Sequence, residues 1–142
     1  MKEVVEKLIK SGKILSVMES CTGGAVTSAI TNIDGASKIL EFSAVTYSNE
    51  FKIKMGVSKE VIEKYSVYSS EVAKEMSKSI SFFTNSDYGI GITGKLNKAD
   101  INNHYGKNNS YINEQQEVNE LYRKDNKKLV IEKVEKLLLK SI

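Results

Sequence analysis

Residues 14–25 read ILSVMESCTGGA. An apolar run of strand length, Ile14 to Met18, breaks into small residues and a glycine pair before helical character returns from Ala25 to Ile33. The order is strand, tight turn, helix. Upstream, Val4, Val5, Leu8 and Ile9 recur at helical spacing, and Ser11-Gly12 closes that helix. Downstream, Asp34 to Ser37 is a turn with Ser37 as an N-cap, and Phe42 to Tyr47 is a second strand rich in β-branched and aromatic residues. Asn49 to Met55 reads as a short helix stopped by Gly56. Ser58 caps Lys59 to Tyr65, and Ser69 caps Ser70 to Phe83, whose buried stripe is Val72, Met76, Ile80 and Phe83. DYGIGIT at Asp87 to Thr93 is a third strand, with glycines that let other backbone or a ligand approach closely. Strands alternating with helices predict an α/β fold, a three-layer αβα sandwich with a mostly parallel sheet and helices on both faces.

After Gly94 the periodicity dissolves into a run rich in Asn, Lys and Glu. It is expected to be a long loop or weak edge strands around Ser110 to Ile112 and Val118 to Tyr122, poorly ordered without ligand. Periodicity returns at Lys127 to Leu139, where Leu129, Val130, Val134, Leu137 and Leu138 mark a helix that packs back on the sheet.

Composition narrows the function. At 142 residues and 40% hydrophobic content, the chain suits a single domain over residues 1–142 with one core. The net charge of +3 is spread over segments that also carry many Glu, so nucleic acid is not the expected partner. A lone cysteine supports neither a disulfide framework nor a structural zinc site. With no apolar stretch of spanning length, a soluble, cytoplasmic protein without membrane contact is expected.

Chemistry concentrates at Ser20. It stands where the strand ends and the helix begins, and backbone N–H groups of a first helical turn favour a negative charge. Such a turn suits a phosphate, or the oxyanion formed when a serine attacks an amide carbonyl. Taken alone, the turn is better explained by Ser20 or Thr22 capping the helix, Lys52 by an exposed helix lysine, and Tyr47 by an aromatic packed in the core. Cys21 sits beside a helix N-terminus, which favours a thiolate, but small buried cysteines are commonly inert.

Four segments in order change that balance: ESCTGG at Glu19 to Gly24, VTYSNEFK at Val45 to Lys52, GVSKE at Gly56 to Glu60 and GITG at Gly91 to Gly94. Together they resemble the signature blocks of the CinA C-terminal family, the nicotinamide-nucleotide amidohydrolases, over residues 11–94. The resemblance implies hydrolysis of the carboxamide of nicotinamide mononucleotide to nicotinate mononucleotide and ammonia. It places the nucleophile on Ser20, with Tyr47 and Lys52 supporting proton transfer and Thr22, Gly23, Gly24, Asn49, Thr93 and Gly94 contacting substrate. His104 is the only histidine and lies in the aperiodic run, so a Ser-His pair is not expected. A Ser-Lys pair needs neither metal nor organic cofactor, provided that the lysine pKa is lowered, here by Phe51, Ile53 and Met55 around Lys52. The implied partner is a small-molecule nucleotide, with self-association into a homo-oligomer.

The chain also departs from those blocks. Lys95 to Asp100 replaces a Gly-rich loop, leaving Lys95 and Lys98 to supply charge. Asn126 stands where the family carries an arginine, with Arg123 expected on the other side of the turn. The alternative reading is therefore a catalytically degenerate relative that binds a nucleotide or a protein partner.

Overall fold

In the computed structural model every residue of the run that opens the turn is buried from Leu15 to Glu19, which form strand β1. The structure describes residues 1–96, 109–111, 115–117 and 122–142, the two short middle pieces by their backbone alone. A strand covered on both faces shows no polar alternation, as β1 does not. It is central because β2 (Leu40–Val45) and β3 (Tyr88–Ile92) pair with it on either side, both parallel, in the order β2-β1-β3.

Helix α1 (Lys2–Ser11) precedes β1 and ends at Gly12, whose φ of 63° is the left-handed cap that the sequence predicts. The connection from β1 to β2 carries α2 (Ala25–Thr31) and a 3-10 turn, Ala36–Lys38. Between β2 and β3 lie α3 (Asn49–Lys54), α4 (Lys59–Tyr65) and α5 (Ser70–Thr84). Beyond β3, β4 (Asn109–Tyr111) and β5 (Gln115–Glu117) form a separate antiparallel pair, and α6 (Arg123–Ser141) ends the chain. Parallel crossovers and helices on both sheet faces make the predicted α/β architecture.

Strand alternation divides the core. Leu15 and Val17 of β1 pack with Val5, Leu8, Val26, Ile30, Val130 and Val134 on one face. Met18 packs with Ile62, Val72, Met76 and Ile80 on the other. Helix α5 lies so close to β3 that a Cβ at Gly89 or Gly91 would run into the carbonyl oxygens of Ser77 and Ala73, so the approaching backbone is that of α5.

Several expectations need correction. Ser37 is not a cap: Gly35, at φ 84°, takes that place with no side-chain bond. Phe83 is 65% exposed, and Ala73 completes the α5 stripe in its stead. Ile9 is exposed as well. Strand β2 stops at Val45, so Tyr47 lies beyond it. Helix α6 begins at Arg123, and its buried line is Asn126, Val130, Val134 and Leu138, with Leu129 and Leu137 half-buried. Leu96 is buried in the core, so the packed path continues past Gly94. Lys98 and His104 lie outside the described residues, as does most of the strand expected at Val118 to Tyr122. Among the described residues no helix is long and apolar enough to cross a membrane.

Candidate active site

Ser20 follows β1 directly, and Lys52 reaches it from α3. Ser48 caps that helix by accepting from the Phe51 amide at 3.3 Å, and one turn on the Lys52 side chain points inward, 1% exposed. Its Nζ lies 3.0 Å from Ser20 Oγ, 2.7 Å from the Thr46 carbonyl oxygen and 3.3 Å from that of Tyr47. Burial away from water disfavours the ammonium and lowers the Lys52 pKa to about 8. The dry setting is not the one that the sequence predicts: Phe51 and Ile53 are exposed, and the strand-end backbone encloses the amine instead. Lys54, its neighbour in sequence, is held on the surface by Glu50.

The pair opens into a cleft of about 280 Å³. Tyr47, Asn49, Thr93, Gly94, Lys95 and Arg123 also line it. The Thr93 hydroxyl donates to the Val67 carbonyl at 2.8 Å, which fixes its side chain on the wall. Lys95 Nζ sits 4.2 Å from the centre of the Tyr68 ring, close enough for a cation–π contact. Tyr47 is 66% exposed, far from a core aromatic, and its hydroxyl accepts from Arg123 Nη2 at 3.4 Å. Arg123 thus faces the cleft, contrary to the sequence expectation. Asn126 does not: it is fully buried, and its Nδ2 donates to the Leu96 carbonyl at 2.6 Å. Cations line the cleft at Lys52, Lys95 and Arg123, and no carboxylate does so among the described residues.

Thr22, Gly23 and Gly24 are brought near Ser20 but do not line the cleft. The Thr22 hydroxyl and the Gly24 amide turn inward to a residue that sequence reasoning passed over, while the Gly23 amide donates to the Ser20 carbonyl. Glu19 is wholly buried, and its carboxylate accepts from the Thr22 hydroxyl (2.6 Å), from the amides of Gly24, Val26 and Thr27 (3.1, 3.2 and 2.8 Å) and from the Thr27 hydroxyl (2.6 Å). The signal was present, since an acid ending an apolar run must find such partners or leave the core. Cys21 is buried, which pushes its thiol up to about 11, so it stays protonated near neutral pH. No three His, Cys, Asp or Glu side chains converge as a metal ion requires among the described residues.

The chain has relatives in sequence and fold. The sequence model of the "CinA C-terminal domain" family matches residues 1–104. The chain belongs to the CinA C-terminal domain family. A putative competence-damage inducible protein of Thermoanaerobacter pseudethanolicus is 46% identical over 96 residues, covering 66% of this chain and 23% of the relative. One of Clostridium kluyveri is 48% identical over 96 residues, covering 66% and 23% in turn. The chain thus spans about a quarter of the length of the curated relatives it matches. Among solved structures, a CinA superfamily protein from Klebsiella pneumoniae superposes with a TM-score of 0.85 at 21% identity, over 96% of this chain and 91% of that one. A CinA superfamily protein from Escherichia coli aligns with a TM-score of 0.65 at 32% identity, over 67% of this chain and 56% of that one. The high superposition at low identity is a likeness of CinA fold, and it extends over α6, beyond the part that the family model matches.

Proposed function

We propose that the cleft hydrolyses the carboxamide of nicotinamide mononucleotide, releasing ammonia and nicotinate mononucleotide. The observation that carries this reading is the buried Lys52 amine at 3.0 Å from Ser20 Oγ. A neutral amine has two N–H donors and one lone pair. The Thr46 and Tyr47 carbonyls can only accept, so they take the N–H groups and the lone pair is left for the serine hydroxyl. With a pKa near 8, about a tenth of the amine is neutral at pH 7, whereas a free lysine would have roughly one part in 3,000.

Ser20 Oγ attacks the carboxamide carbon as Lys52 takes its proton, giving a tetrahedral oxyanion. The Gly23 amide is committed to the Ser20 carbonyl at 3.0 Å, and those of Gly24, Val26 and Thr27 to Glu19. The amide of Cys21, next after the nucleophile and on the cleft wall, is therefore the oxyanion donor. Collapse expels ammonia, with the proton returned from Lys52 and the Tyr47 hydroxyl on the wall assisting its transfer. Water, deprotonated by Lys52, then cleaves the acyl-serine ester to nicotinate mononucleotide and restores Ser20.

The nucleotide phosphate is held by Arg123, exposed at the cleft, and by Lys95, buried in its wall. Since the α2 amides are already filled by Glu19, a substrate anion needs side chains rather than that helix start. Asn49, Thr93 and Gly94 shape the wall around the ring. Ser20→Ala is expected to abolish ammonia release while leaving the melting temperature near that of the parent, and Lys52→Arg to be nearly as inactive because a guanidinium stays protonated. Near-normal turnover in either folded variant would refute the mechanism.

A further inference from the structure

Glu19 takes no step in that chemistry, yet it is the most heavily hydrogen-bonded side chain near Ser20. Strand alternation sends Val17 and Glu19 to the α2 side of the sheet and Ser20 toward Lys52. The Glu19 carboxylate then bends over the turn. Oε2 holds the Thr22 hydroxyl and the Gly24 and Val26 amides, and Oε1 holds the amide and hydroxyl of Thr27. Thr27 Oγ1 is in turn 2.5 Å from Ser43 Oγ, so one carboxylate joins β1, α2 and β2. The Ser20 carbonyl closes the same turn from within by accepting from Gly23. Gly23 and Gly24, at φ 62° and 92°, supply the left-handed backbone that such closure requires.

We propose that Glu19 is a positioning residue for the nucleophile, fixing the 20–24 turn so that Ser20 Oγ stays within hydrogen-bond reach of Lys52. The inference rests on reading Ser20 as the nucleophile. Glu19 touches neither substrate nor reacting atoms. It acts through the turn, and misplacing a reacting group by about 1 Å costs on the order of 100-fold in rate.

A fluorophosphonate probe tests this without depending on any amide substrate. Ser20 Oγ displaces fluoride from phosphorus, its proton passes to Lys52, and peptide mass analysis locates the adduct. The wild type should label at Ser20. Glu19→Gln keeps the volume but turns an NH₂ toward N–H donors, and should label about 100-fold more slowly. Thr27→Val, a milder change that keeps the carboxylate, should be slowed severalfold and serves if the Gln variant does not fold. Val17→Ala, a core truncation on the same strand, should lower the melting temperature yet label at the wild-type rate. A folded Glu19→Gln or Thr27→Val that labels as fast as wild type overturns the positioning role alone, as does Val17→Ala slowed to the same degree. A folded wild type that fails to label at Ser20 overturns the nucleophile and this inference with it.

Discussion

Replacing Lys52 by methionine should change how stability depends on pH, and the size follows from burial. The Lys52 pKa falls from 10.5 to about 8 on folding, a gap that at about 1.4 kcal/mol per unit amounts to about 3 kcal/mol. Because the folded value is the lower one, the unfolded chain binds more protons between the two, and stability must rise with pH across that window. Below pH 8 the full penalty opposes folding; above about pH 10.5 it is gone. Lys52→Met deletes this titration and adds only a pH-independent loss from the Ser20, Thr46 and Tyr47 oxygens that the amine served. Urea denaturation of each at pH 7, 8, 9 and 10 gives the difference, wild type minus variant, which should grow by about 2 kcal/mol from pH 8 to pH 10. A difference that stays flat or shrinks with pH would mean that the Lys52 pKa is ordinary, and would remove its fitness as a base at neutral pH.

Two further substitutions probe other parts of the account. Arg123→Ala should raise the KM for nicotinamide mononucleotide about tenfold or more, the worth of a charge-assisted hydrogen bond, and leave the phosphate-free riboside unaffected; equal effects on both would free Arg123 from phosphate binding. Gly91→Ala drives a methyl group into the Ala73 carbonyl of α5 and should destabilise the fold by about 3 kcal/mol in urea unfolding, whereas an unchanged midpoint would show that α5 yields easily.

What the sequence revealed was local. Ser58 and Ser69 each accept from an amide three residues on, as short polar side chains before apolar-periodic runs are disposed to do. Gly12 and Gly56 stop helices for the same near-neighbour reasons. The meeting of Ser20 with Lys52 was legible only through the resemblance, because 32 residues separate them and no spacing within one element encodes a contact between a strand end and a distant helix. Viewed alone, Lys52 among Phe51, Ile53 and Lys54 looks like a solvated lysine, and its neighbours are indeed exposed.

Arg123 was misplaced for a definable reason. With helix α6 expected to start at Lys127, Arg123 read as a turn residue facing away; the helix in fact starts four residues earlier, and its first turn sits over the cleft. Asn126, one turn further along, falls on the core-facing line with Val130 and Val134. Glu19 was readable in principle: alternation puts it beside Val17, on the face that meets α2, where only the amides and hydroxyls that follow could satisfy it.

The central claim, that a buried Lys52 activates Ser20 against a carboxamide, is tested most directly by ammonia release from nicotinamide mononucleotide as a function of pH. The account predicts ammonia and nicotinate mononucleotide in equal amounts, at a rate that climbs about tenfold per pH unit below a midpoint near 8 and then levels off. No ammonia from the folded wild type, or a rate still climbing at pH 10, would contradict it.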